Sequence, residues 1–252
     1  MDEEKKIAQI QECVYLLEKA LNQFIGLFEN PEFIKESGRM CFRYKNINSI
    51  LFQVLKCVRI VSGFNAAVVL LKAGYVQEVG VLIRTIHEFN HDIEFIQEGH
   101  EKGGLNDKQQ ELVDLFFSAK MQTTEELLSS MKKDPTVARR EIYPTIARDL
   151  NPENPHKIQH TLKAIEEVYS GYVHGLYPHI MELYVGGSNH FCLNGMLNTS
   201  RIGEWIKYLA LCVHPSLNAF IGIAQYVKLL DIAEELRLLR NKFQESEAYK
   251  GT

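Results

Sequence analysis

Residues 65–96 read NAAVVLLKAGYVQEVGVLIRTIHEFNHDIEFI, and this stretch decides the fold class. Its opening letters are apolar on almost every side and belong to a helix of about Ile47 to Ala73, which that composition places at the centre of a helical core. Gly74 is the natural C-cap. The next helix, about Tyr75 to Gln97, carries Leu82, Ile86, Phe89, Ile93 and Ile96 on one side. Helical geometry gathers Arg84, His87, Glu88 and His91 within a stripe about 100° wide on the other. A solvated polar face opposite a core face is the ordinary reading of such a pattern. Val81 and Phe95 project close to the stripe, however, and argue that part of it is covered. Covered charges need internal partners, as an ion-pair network or as a site.

The helical signal continues on both sides of this pair. From Glu4 to Phe28 the residues Ile7, Ile10, Val14, Leu17, Leu21, Phe24 and Phe28 form a narrow seam, suited to a helix of the same domain or of a second subunit. Pro31 ends that helix, and residues 31–46 read as polar and irregular. After the GHEKGGLND loop a helix is expected from about Lys108 to Met131. Asp134-Pro135 then opens a short helix that Pro144 interrupts. NPENPH links two subassemblies, and His156 to Val173 carries Ile158, Leu162, Ile165, Val168 and Tyr169 at helical spacing. Gly186 and Gly187 break the apolar run that follows. HFCLNGML reads as extended, a small hairpin with Asn194-Gly195 as its turn. Beyond Thr199 the pattern is helical again, with Pro215 as a kink or break before the closing DIAEELRLLRNKF helix. The expected fold is all-α: a central bundle over residues 1–150, C-terminal helices over 151–252 packed on the same core, and at most one small β-hairpin.

Composition narrows the classes further. Twenty-eight Lys and Arg against 32 Asp and Glu give a net charge of −4 over 252 residues, so no bulk positive field draws the chain to polyanions. Any nucleic-acid contact is then local, and sequence-specific DNA binding is not expected. Sixteen Gly and 7 Pro are too few for a turn-dense all-β fold. Five cysteines without a C-x-x-C pair indicate neither a disulfide framework nor a thiolate zinc site. MDEEKKIAQI lacks the basic start and apolar core of a secretory signal. The apolar stretch Val58 to Lys72 contains Arg59, Ser62 and Asn65, and is too short and polar to cross about 30 Å of hydrocarbon. A cytoplasmic protein without a membrane partner is expected.

Two places collect polar groups. In the first, HEFNH matches the zinc-protease pattern H-E-x-x-H, in which two imidazoles one turn apart hold the metal and the Glu activates water. Asp92 stands where that pattern wants an uncharged residue, and no third His follows in the extended form. Glu88-x-x-His91 would also serve as half of a di-iron site, but no second Glu-x-x-His exists. A metal-dependent hydrolase using His87 and His91 therefore stays as a further alternative, with no metal or other cofactor assigned. In the second, EEVYSGYVHGLYPHIMELY crowds Tyr169, Ser170, Tyr172, His174, Tyr177 and His179 together. Ser170 and His174 lie one turn apart, within reach of a hydrogen bond. No Gly-x-Ser-x-Gly elbow is present to make Ser170 a nucleophile. The structural alternative has the tyrosine rings packing and His174 capping a helix end near Gly175. His156 and His160, without acidic or aromatic company, look solvated.

LLKAGYVQEVGVLIRTIHEF and, some 80 residues later, IEEVYSGYVHG resemble a group of uncharacterised bacterial all-helical proteins with the pattern Arg-x-x-x-Glu and then Tyr-Ser-x-x-x-His-Gly. That group is similar to the HEPN superfamily, whose ribonuclease members carry an Arg and a His four to six residues apart on one helix. The resemblance covers about Ile47 to Val185 and implies a toxin-like or antiviral defence effector, a homodimer, and RNA as substrate. It also implies metal-independent cleavage, in which His91 or His174 deprotonates the 2′-hydroxyl and Arg84 stabilises phosphoryl charge, with His87, Glu88, Tyr169 and Ser170 in support. Thr85 stands where the nuclease motif prefers Asn, Asp or His. Glu88, one turn from Arg84, would pair with it and repel phosphate, so the same residues serve a noncatalytic scaffold as an internal Arg-Glu-His-Ser network. The nuclease needs Arg84, His91 or His174 to line one open cleft with further cations such as Arg139 and Arg140. The scaffold needs Arg84 bonded to Glu88 and shut off from water.

Overall fold

The computed structural model describes residues 2–36, 39–119, 137–185 and 190–250. Helix α1 (Asp2–Ile25) is followed by the strands β1 (Glu32–Glu36) and β2 (Arg39–Arg43), then by the long helices α2 (Ser49–Ala73) and α3 (Val76–Glu101). Helices α4 (Asp107–Ser118) and α5 (Arg139–Leu150) lead to α6 (Pro155–His174) and the short α7 (Tyr177–Met181). Strands β3 (Tyr184–Val185) and β4 (His190–Phe191) precede α8 (Ser200–Tyr226), α9 (Leu230–Gln244) and the last turn α10 (Glu247–Lys250). The all-α class expected from the sequence holds. The later part of the expected Lys108 to Met131 helix, Asp134-Pro135 and Gly186-Gly187 lie outside the described residues.

Local chemistry sets the ends of the two longest early helices. Asn48 caps α2, its side-chain oxygen accepting from the backbone of Ile50 and Leu51. Gly74 closes α2 in the left-handed region at φ 84°, where only a residue without Cβ is unstrained. A Cβ there would also press on the backbone N of Met196 at 2.7 Å, because that amide donates to the Gly74 carbonyl at 2.8 Å. The Asn194-Gly195 turn is therefore seated on the α2–α3 corner rather than closing a hairpin. The pairing instead joins Tyr184 to Phe191 and Val185 to His190. A second antiparallel ladder, one more than expected, occupies the stretch read as irregular: Glu32 to Glu36 pairs with Arg39 to Arg43. Its period-2 alternation is hidden in the sequence because both faces of the ladder carry apolar and charged residues.

The apolar seam of α1 is covered by this chain's own helices α2, α8 and α9. The main core joins α1, α2, α3, α8 and α9, with Phe24, Phe64, Trp205 and Phe220 wholly enclosed. A second cluster lies at the other end, where Phe52, Phe95 and Ile96 of α2 and α3 meet Val113 of α4, Ile142, Tyr143 and Ile146 of α5, and Leu162 of α6. Helices α8 and α9 complete the core of α1 to α3, while α4 to α6 pack on α2 and α3 in the second cluster. Pro215 does not break α8, which runs unbroken from Ser200 to Tyr226; the Ser216 hydroxyl donates to the Cys212 carbonyl at 2.9 Å beside it. Pro144 likewise lies inside α5. By length and composition α2 and α8 could each cross a membrane, and 50% and 61% of their apolar windows are buried within the protein.

The central helix is α3, not α2. Alpha2 leaves Arg59, Ser62, Asn65, Ala66 and Val69 exposed, whereas no residue of α3 from Val79 to His100 is exposed. The polar stripe, read from Val81 and Phe95 as partly covered, lies under α5 and α6, which pack over it.

Candidate functional site

Arg84, one turn from Glu88 on α3, donates from Nε to Glu88 Oε1 at 3.0 Å. Its Nη1 donates to Ser170 Oγ on α6 at 2.9 Å, and Nη2 lies 3.9 Å from Glu166 Oε1 on the same helix. The two segments of the quoted pattern, 86 residues apart, thus meet in space through Arg84 and Ser170. One turn further along α3, Asp92 is engaged from two directions. Lys56 Nζ of α2 lies 2.8 Å from Asp92 Oδ2, and Arg139 Nη1 of α5 donates to Asp92 Oδ1 at 2.5 Å. Arg139 also reaches the Glu88 carbonyl at 3.3 Å and its carboxylate at 3.9 Å. The Lys56 ammonium sits about 5 Å from the rings of Phe52, Phe89 and Phe116. Tyr143 completes the ring of partners by donating its hydroxyl to Glu166 Oε2 at 2.8 Å.

Three cations (Lys56, Arg84, Arg139) thus face three carboxylates (Glu88, Asp92, Glu166), and the formal charge of the cluster is zero. A neutral cluster offers no attraction to a phosphodiester. The space enclosed by Arg84, His87, Glu88, His91, Tyr143, Glu166 and Tyr169 is about 10 Å³, and Arg84 keeps only 22% of its side chain exposed. Such a volume holds at most about one water molecule, far less than a phosphate group.

The two imidazoles lie beneath these charges. His87 stacks on Tyr169 with centroids 5.9 Å apart, and its Nε2 is 3.5 Å from Cys212 Sγ. His91 is 7% exposed, packs edge-on against Tyr143 at 5.4 Å, and its Nδ1 has no partner among the described residues. Burial lowers His87 to a pKa of about 4, and burial with the neighbouring His87 and Arg139 lowers His91 to about 3. Both rings are neutral at pH 7 and are poor proton acceptors, since a general base works best with a pKa near the operating pH. Burial also raises the Cys212 thiol well above its ordinary range, so the Cys212–His87 pair is uncharged.

Of the expected site residues, Arg84, His87, Glu88, His91, Tyr169 and Ser170 come together. His174 does not. It lies at the carboxyl end of α6 with an exposed ring outside the enclosed space, and the helix closes at Gly175 in the left-handed region. Ser170, expected within reach of His174, accepts from Arg84 instead, because burial of that guanidinium leaves it needing an acceptor. Of the two further cations, Arg139 joins the cluster, while Arg140 is exposed. His87 and His91 lie with ring centroids 6.1 Å apart, and no group of three or more His, Cys, Asp or Glu among the described residues is placed to hold a metal ion. Lys56, Asp92, Tyr143 and Glu166 carried no signal in the sequence, except that Asp92 broke the zinc-protease pattern.

Close helix approach explains the glycines in these segments. A Cβ on Gly80 would meet the Trp205 ring at 2.8 Å and the Tyr172 ring at 2.9 Å, and one on Gly171 would strike the His179 ring. Alpha3, α6 and α8 approach closely at this point. No protein-family model, characterised protein or solved structure matches the chain at a significant level.

Proposed function

We propose that the protein is a noncatalytic helical interaction protein, and that the polar seam of α3 is a lock fastening α5 and α6 to the core. One observation carries this reading: the cations of the cluster are already matched by carboxylates, around a space of about 10 Å³. A catalytic site for RNA would need an excess of positive charge and room for a phosphate, together with an imidazole that exchanges protons near neutrality. The lock needs the opposite, with each charge paired and the rings kept neutral. After the end of α6, Leu176, Tyr177 and Ile180 are exposed and give such a protein an apolar surface to present to a partner.

The test is incubation of the purified protein with total RNA, with and without chelator, beside the Arg84→Ala variant. The lock predicts intact RNA in all conditions and a variant less stable by about 2 kcal/mol, a figure reduced for the partial exposure of the pair. Cleavage that ignores chelator and disappears in the variant would establish the metal-independent ribonuclease instead. Cleavage abolished by chelator would favour the metal-dependent hydrolase.

A further inference from the structure

We infer that the outward face of the β1–β2 hairpin binds single-stranded nucleic acid by stacking unpaired bases on Phe33 and Phe42. The register pairs Phe33 with Phe42 and Lys35 with Met40, so these four residues share one face of the ladder. The two rings lie side by side with centroids 4.8 Å apart and are 59% and 67% exposed; Met40 and Lys35 are exposed next to them. The same alternation sends Glu32 and Glu36 to the other face, where Glu36 is bound by Arg43 at 2.6 Å. Arg43 in turn donates to the Ala119 carbonyl at the end of α4, which ties that face to the body of the protein.

The outward face therefore carries two aromatic rings, a thioether and an ammonium group with no carboxylate, and exposed Lys45 follows β2. In a chain of net charge −4, this is a local platform whose charge suits a phosphate backbone and whose rings suit bases. Duplex DNA or RNA keeps its bases stacked inside and would offer the rings nothing. A second copy of the chain fits poorly, since a four-residue face is far smaller than the roughly 800 Å² per partner of a stable interface. A membrane fits poorly as well, because Lys35 shares the face with the two rings and its charge would be carried toward the lipid with them.

The test is fluorescence anisotropy of labelled ten-nucleotide oligouridylate and oligothymidylate with the whole protein at low and moderate salt. The variants are Phe33→Ala, Phe42→Ala and the ring-preserving Phe33→Tyr and Phe42→Tyr, with melting curves to confirm that each is folded. Saturable binding is expected, weakened about fivefold or more by each Ala variant, retained by the Tyr variants, and not competed by duplex. The inference is overturned by absence of binding at low salt, by equal affinity for duplex, or by binding indifferent to both Ala variants. It is overturned equally if those variants abolish self-association or vesicle binding while oligonucleotide affinity stays unchanged.

Discussion

Replacing Asp92 with Asn removes one charge from the most enclosed part of the cluster and keeps the shape of the side chain. Asp92 is 4% exposed and holds Lys56 at 2.8 Å and Arg139 at 2.5 Å. With an effective dielectric constant of about 20, each contact is worth roughly 6 kcal/mol of gross attraction. Most of that offsets the cost of taking the charges out of water, and removing one member of a buried set typically costs about 3–5 kcal/mol net. The Lys56 ammonium would then keep its aromatic neighbours without the charge of Asp92, and Arg139 would keep the more distant Glu88 carboxylate at 3.9 Å. For a chain of this length, about 4 kcal/mol corresponds to a melting temperature lower by roughly 10 °C. Calorimetry of Asp92→Asn beside the parent, at low and high salt, measures it. The loss should persist at high salt, because enclosed pairs are weakly screened. A shift under about 2 °C, or one that vanishes in salt, would refute the view that these charges clamp α2, α3 and α5 together.

Three further outcomes follow from the same packing. His91, held near a pKa of about 3 by burial, refuses a proton that the unfolded chain accepts below its ordinary value of 6.5. Its contribution is therefore fully present above pH 6.5 and lost as pH falls toward 3, about 2 kcal/mol of it by pH 5. Urea titrations at pH 7 and pH 5 should show a smaller acid loss for His91→Gln by that amount; Glu94, raised to about 7 by burial and Asp149, acts in the opposite direction and is common to both proteins. Gly80→Ala forces a methyl group against Trp205 and Tyr172, and should cost about 1–3 kcal/mol in the same titration, whereas an unchanged midpoint would mean that α6 and α8 yield freely. Burial raises the Cys13 thiol to about 12 and puts Cys57 and Cys212 well above their ordinary range, so brief alkylation of the native protein read by mass spectrometry should spare all three. Rapid modification of Cys212 would show that the region around His87 opens.

What could be read in the sequence was what neighbouring residues determine. Asn48 and Gly74 mark the ends of α2 by their own hydrogen-bonding and backbone preferences, and the spacing from Ile7 to Phe24 fixes the buried side of α1. The grouping of Arg84, His87, Glu88 and His91 is equally local, a consequence of helical pitch. Whether that stripe faced water depended on Lys56, Arg139, Glu166 and Ser170, which come from three other helices and leave no mark in the local pattern. The same non-locality misplaced the centre of the bundle. Alpha2 has the more apolar composition, but α3 is the helix covered on every side, since its charges find partners there. His174 illustrates the limit from the other direction: it follows Ser170 by one turn, yet Gly175 ends the helix and the exposed residue does not line the enclosed space.

The central claim is that Arg84 acts as a fastener between α3 and α6. A double-mutant cycle of Arg84→Ala with Ser170→Ala, each protein measured by urea unfolding, tests it most directly. A hydrogen bond from a largely covered guanidinium at 2.9 Å predicts a coupling energy of about 1–2 kcal/mol. Losses that simply add, within about 0.3 kcal/mol, would contradict the account.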